Sequence, residues 1–274
     1  MIAKSGKVAL LIVSLFFFAS FIAPLLTLKH PNEINLDAIK EAPSLEYLFG
    51  TDNKGRDIFS RVVYGAKISI GVSMVAGIIS SFIGLVIGLV AGYKGGVIDK
   101  LLMSLVDFIL SFPSLLFAIA ISIVFPPGLF TVMIAISAVG WTSFARLVRG
   151  ITLSIKSMAY VESAIAIGCS HWRIIMKHIA PQCISSALVM IGIKMGGFIL
   201  TEATLGFLGL GLQPPEPSWG AMISAGRNHI LTAPWIAIFP GLAIFITVFC
   251  FNILGDALKN AYDLTNEKVQ SKNQ

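Results

Sequence analysis

The sequence predicts an all-α polytopic membrane protein with six transmembrane helices, and two observations carry that prediction. The 38-residue stretch 108–145 contains no charged side chain. As one helix it would rise ~57 Å, nearly twice the ~30 Å hydrocarbon core of a bilayer. Pro126-Pro127-Gly128 sits in its middle, and proline both lacks an N–H donor and clashes with the preceding turn. The stretch therefore reads as two membrane helices joined by a tight turn. The second observation is composition: 56% of the 274 residues are hydrophobic and only 12% are charged, against ~25% charged in an average soluble domain.

Taken in order, the first expected span is 8–28, preceded by Lys4 and Lys7. It imitates a signal peptide, but its apolar run exceeds the ~7–15 residues of a typical h-region and no A-x-A-like site follows it. An anchor helix is the better reading. The second span, 69–92, carries small residues four apart (Ser80, Gly84, Gly88, Gly92), with Ser73, Gly77 and Ser81 on an adjacent stripe. Small-xxx-small spacing lets helices approach closely in lipid, and packing within the chain's own bundle is favoured over a dimer face. The third and fourth spans, 101–124 and 129–148, flank the Pro-Pro-Gly turn. The fifth, 184–207, is interrupted by Lys194 and Glu202 and contributes Gly192 and Gly196; the sixth is 233–254.

An even number of spans puts both termini on one side, and positive residues choose that side. With cytoplasmic termini the inside carries twelve Lys and Arg and the outside seven, six of them in 29–68 and the seventh Arg227. Most of the +6 net charge flanks apolar runs, which favours membrane topology over nucleic-acid binding. Two long segments then lie outside the bilayer, 29–68 externally and 149–183 internally, besides a Gly/Pro-rich external segment at 208–232.

The ionisable residues in or near spans are Asp107, Lys194 and Glu202. A charge there is expensive and should face the bundle interior or water. Asp107 is expected to anchor near the cytoplasmic interface, Lys194 is long enough to snorkel, and Glu202 is open between a pathway role and a structural pairing. Cys169, Cys183 and Cys250 lack CxxC spacing and read as small reduced residues. No GxxxxGK[ST] phosphate loop, HExxH or GxSxG occurs, which disfavours nucleotide hydrolysis or intramembrane catalysis by this chain. His171 and His178 lie seven apart on the internal loop and are expected in packing or surface roles; no catalytic residue, metal site or cofactor is expected.

The internal segment 149–183 is the richest in signals. Residues 160–167 are helix-compatible, Gly168 offers a break, and Ser170 is a plausible N-cap for a second helix over 171–179. Pro181 is expected to stop that helix. Two short helices meeting at a glycine form a knob suited to a groove on another protein, or else an amphipathic element on the membrane surface.

Here the residues resemble a known family. Glu162-Ser163-Ala164, Gly168 and Pro181 resemble the EAA loop of ABC importer permeases, with departures at Ser163, His178 and Ala180. Further segments resemble the dipeptide/oligopeptide/nickel branch. Gly50-Thr51-Asp52-Asn53-Lys54-Gly55-Arg56-Asp57 is similar to its external signature, Glu202 and 207–211 with Pro214-Pro215 and Ser218-Trp219-Gly220 to its stretch after the fifth helix, and Gly255-Asp256 to its last helix. The pattern is similar to the second of the paired permeases.

The resemblance implies a type I ABC importer permease fold in a bacterial or archaeal cytoplasmic membrane. It divides the chain into an N-terminal anchor and external segment (1–66), a transmembrane domain (67–256) and a cytoplasmic tail (257–274). It implies a homologous second permease in a heterodimer, two cytoplasmic ATPase subunits, an external substrate-binding protein and lipid as partners. Short peptides are the expected cargo, with nickel or a metal chelate as the alternative and a stand-alone secondary transporter as a distant one. Glu162, Ser163, Ala164, Gly168, Trp172 and Pro181 are the expected ATPase-coupling residues. Asp107 and Glu202 are candidates for the pathway. Asp52, Arg56 and Asp57 are expected to form a turn network, with contact to the binding protein as the other reading.

Overall fold

A computed structural model describes Leu11 and residues 29–271; apart from Leu11, the expected span 8–28 lies outside the described residues. The remainder is built from helices: α1 (Ile58–Lys94), α2 (Gly96–Leu110), α3 (Ser114–Val124), α4 (Leu129–Lys156), α5 (Ala159–Ala166), α6 (His171–Ile174), α7 (Ala180–Phe207), α8 (Trp219–Gly226) and α9 (Trp235–Ser271). A π-turn over Ile175–Ile179 joins α6 to α7. Among the described residues four helices are long and apolar enough to cross a membrane, and α2 with α3 makes a fifth if a bent pair counts as one span.

The bundle is organised around α1 and α4, which run parallel. The small-residue stripe of α1 faces α4 in register. A Cβ on Gly84 would collide with the Phe144 Cβ, one on Gly88 would meet the Ala145 carbonyl oxygen at 2.6 Å, and one on Gly92 the Thr152 Cβ at 2.7 Å. The stripe therefore packs internally, as its spacing suggested. Gly192 and Gly196 of α7 likewise face Gly255, Leu258, Val248 and Asn252 of the antiparallel α9.

Two expectations need correction. The span 101–124 is broken: α2 and α3 meet at 91°. Pro113 disfavours helical geometry at the residue before it, and the Ser111 hydroxyl donates to the Phe108 carbonyl at 2.6 Å, closing α2. Second, Pro181 does not end a helix. It occupies the first turn of α7, where its missing N–H does little harm. The preceding turn widens to i→i+5 spacing over Ile175–Ile179 and the chain runs on into α7.

α1 also begins at Ile58, earlier than the apolar run suggests, so residues 66–67 lie inside it. Asp57 caps it by accepting from the Ser60 N–H at 3.0 Å and the Ser60 hydroxyl at 2.5 Å. Its first turns are held by a cap of chain formed by residues 29–57 and 208–234. The Trp219 indole N–H donates to the Val62 carbonyl at 2.9 Å, the Trp235 indole N–H to the Thr51 carbonyl at 3.1 Å, and Phe49 stacks on Phe239 with centroids 4.0 Å apart. The 208–232 segment thus contains a packed helix, α8, whose Trp219 is fully buried. At the opposite end a second apolar cluster joins Leu89, Tyr93, Val148 and Ile155 to Val161, Ala164, Ile174 and Ile179.

Candidate functional site

At the end of the bundle away from the cap, α5 and α6 form a knob between α4 and α7. α5 ends where the chain reverses at Gly168, whose φ of +83° is the left-handed conformation that side chains resist. Ser170 then caps α6, accepting from the Arg173 N–H at 3.4 Å. The break and the cap fall where the sequence placed them.

The knob has two faces. Inward, Val161, Ile174 and Ile179 are fully buried and Ala164 is 7% exposed. Burying each of the large three contributes about 1.5–3 kcal/mol, so the knob is seated on the bundle. Outward, Glu162 and Ser163 are exposed, as are Ile167 (79%) and Trp172 (71%). The expected coupling residues therefore divide. Glu162, Ser163, Gly168 and Trp172 share the free side, while Ala164 faces the bundle, its small size serving close packing there. Pro181 lies beyond the knob, at the foot of α7.

Polar ties fix the knob and its supports. The Tyr93 hydroxyl meets His171 Nδ1 at 2.7 Å, linking the end of α1 to the start of α6. Lys156 Nζ donates to the Tyr93 carbonyl at 2.7 Å, where a cation suits a helix C-terminus. Arg149 holds Asp99 in a two-pronged pair at 2.5 and 2.6 Å. Arg146 pairs with Asp107 at 2.6 Å, so the two charges that bound the charge-free stretch find each other. Asp107 ties α2 to α4 and its side chain is 66% exposed, where such a pair contributes ~0–1 kcal/mol. Tyr93, Asp99 and Lys156 were not singled out from sequence. Asp99 in the first turn after Gly95-Gly96, eight residues before Asp107 on the same helix, was the available signal.

Glu202 lies near the other end of α7, 2% exposed. The Ser69 hydroxyl of α1 is its hydrogen-bond partner. That hydroxyl accepts from the Trp219 backbone N–H at 3.3 Å, which leaves its own proton for the carboxylate. The Oε2 oxygen of Glu202 is buried without a partner among the described residues. Glu202 thus joins α7, α1 and the start of α8. A cavity of about 350 Å³ opens elsewhere on α7, bounded by Leu110, Ser114, residues of α4, and Lys194, Phe198 and Thr201. Neither Asp107 nor Glu202 lines it.

In the cap, the signature residues form a closed network. Asp52 accepts from the Lys54 N–H at 2.8 Å, the Arg56 N–H at 3.0 Å and Arg56 Nε at 2.7 Å. Arg61 stands 3.9 Å away and donates to the Pro31 carbonyl at 2.7 Å. The Thr51 hydroxyl bonds the Ala38 carbonyl, while Gly50 and Gly55 turn the chain with φ of +74° and +70°. Asp52, Arg56 and Asp57 are each under 10% exposed, and the turn network is what the structure holds.

The profile of the family described as "Binding-protein-dependent transport system inner membrane component" matches residues 84–264. Among similar proteins are the glutathione transport system permease protein GsiD of Pectobacterium atrosepticum, 40% identical over 259 residues (94% of this chain and 85% of that one), and GsiD of Escherichia coli, 44% identical over 254 residues (93% and 83%). Among solved structures, an inward-facing MetNI methionine ABC transporter aligns with a TM-score of 0.60 at 17% identity, covering 74% of this chain and 97% of that one. An amino acid ABC transporter with histidines aligns at 0.56 and 16%, covering 74% and 94%. These two structures share the fold.

Proposed function

We propose, for a chain that belongs to the family of binding-protein-dependent transport system inner membrane components, that it forms half of a pathway for short peptides and is driven through the α5–α6 knob. The carrying observation is the two-faced knob: one side is buried against α1 and α4, while Glu162, Ile167 and Trp172 are exposed. A seated lever with an unfilled apolar and acidic face suits docking into a cleft on a partner. That partner is a cytoplasmic ATPase, since this chain has no phosphate-binding loop. Both termini and the 257–274 tail are cytoplasmic on this reading, the chain is a multi-pass protein of a bacterial cytoplasmic membrane, and the 29–57 and 208–234 cap faces the external binding protein.

A second, homologous permease completes the bundle. Movement of the docked knobs rocks one half against the other and alternates access. Glu162 and Trp172 are contact residues, Gly168 sets the bend, Ser163 lines the free face and Pro181 marks the root of the lever. Peptide is preferred over nickel as cargo because the similar permeases are named for glutathione, itself a short peptide.

Uptake in a strain lacking this permease tests the cargo. Restoring the gene is expected to restore accumulation of a labelled dipeptide or glutathione and leave nickel uptake unchanged. Restored nickel uptake without peptide uptake overturns the reading.

A further inference from the structure

We propose that Lys194 is a way-station for the carboxylate of the cargo, a specificity-determining residue inside the pathway; this rests on the peptide-permease reading above. Lys194 sits midway along α7 (Ala180–Phe207). It lies fourteen residues from one end and thirteen from the other, ~20 Å of helix each way. The four-carbon stem of lysine cannot carry its ammonium to either interface from there. With α7 as a span, mid-helix is the position from which snorkelling is hardest. Lys194 is half-buried, and an ammonium at that depth must face water, a partner or a ligand.

It faces the 350 Å³ cavity. Lys194, Gly197, Phe198 and Thr201 follow i, i+3, i+4, i+7 spacing, so one face of α7 forms the wall. Glu202, one residue on, turns away toward Ser69. Among the described residues Lys194 is the one ionisable residue in the cavity lining, and no acidic side chain pairs with it. The Ser114 and Ser143 hydroxyls line the same cavity. Phe198 and Leu110 supply apolar surface for a side chain. A lone cation with nearby hydroxyls and an apolar wall matches a peptide end, whose carboxylate is its constant feature, and the volume falls within the ~300–1,000 Å³ of small-molecule sites.

The test uses the complete importer, with partner permease, ATPases and binding protein, in proteoliposomes. Uptake of a labelled dipeptide is compared with that of its C-terminal amide for wild type, Lys194→Met and Lys194→Arg. The binding protein is identical throughout, so any change in the ratio belongs to the permease. Lys194→Met is expected to lower dipeptide uptake by about tenfold relative to the amide, the factor that 1.4 kcal/mol represents. Binding-protein-stimulated ATP hydrolysis should persist, and Lys194→Arg should retain most uptake. Wild-type dipeptide uptake in Lys194→Met, or an equal loss for both peptides, overturns the proposal. Loss of stimulated hydrolysis in Lys194→Met also overturns it, since Lys194 would then be needed for assembly or coupling with the second permease. A wild-type importer that moves neither peptide overturns the peptide reading itself.

Discussion

Asp52→Ala is expected to destabilise the cap by about 3–5 kcal/mol, the cost of breaking a buried ion pair by removing one partner. Asp52 is 4% exposed and is the carboxylate facing both Arg56 (7%) and Arg61 (5%). Its oxygens accept two backbone N–H groups and pair with the Arg56 guanidinium at 2.7 Å. Alanine would leave two buried guanidiniums facing each other and two donors without acceptors. Asp52→Asn keeps the shape and part of the bonding, so its loss should be smaller. Limited proteolysis of the purified protein in detergent gives the readout: cleavage within 29–57 should appear in Asp52→Ala while the helical bundle stays resistant. Wild-type resistance in that variant would show that the network contributes little.

Gly88→Leu carries the other large effect. Even the first carbon of a side chain would sit 2.6 Å from the Ala145 carbonyl oxygen, 2.7 Å from the Val148 Cβ and 2.9 Å from the Arg149 N–H nitrogen. Two of these are backbone atoms of α4, so no rotamer relieves the clash and the helices must separate. Overpacking costs about 1–3 kcal/mol in a well-packed core, occasionally more, and rigid backbone places this site at the upper end. Separation would also disturb the Arg149–Asp99 pair one turn away. The expected result is a variant that inserts but is lost during purification, with a much lower midpoint of thermal unfolding. Gly71, whose Cβ would meet nothing within 4 Å, supplies the control: Gly71→Leu should fold normally.

Much of this architecture was legible because lipid imposes a coarse rule. Long charge-free runs must be helical, which made the second, fourth, fifth and sixth spans legible, along with the turn at Pro126-Pro127-Gly128. The α1 stripe was legible because small residues four apart have one strong physical meaning in a membrane. Local backbone chemistry likewise gave the knob, through Gly168 and Ser170. Hydropathy could not reveal what tertiary context decides. Ser111-Phe112-Pro113 looks apolar in a window, yet it bends a span by 91°. Pro181 looks like a terminator, yet a widened turn absorbs it. α1 reaches back to Ile58 because Trp219 and the cap cover its first turns, and the Trp219–Val62 contact spans 157 residues of chain. For the same reason the inward turn of Ala164 and the face of α7 that Lys194 occupies could only be read from packing.

In the proposed mechanism a separate ATPase grips the outward face of the knob. Glu162 is exposed on that face, and its loss touches nothing in the buried cluster of Val161, Ala164 and Ile174. Glu162→Arg should therefore leave the permease folded but reverse the charge that meets the ATPase, and mispaired charges at an interface cost several kcal/mol. The decisive measurement is ATPase co-purification together with peptide uptake for Glu162→Arg beside wild type. ATPase recovery and uptake should both fall at least about tenfold while permease yield is unchanged. Wild-type assembly and wild-type uptake in that variant would contradict this mechanism.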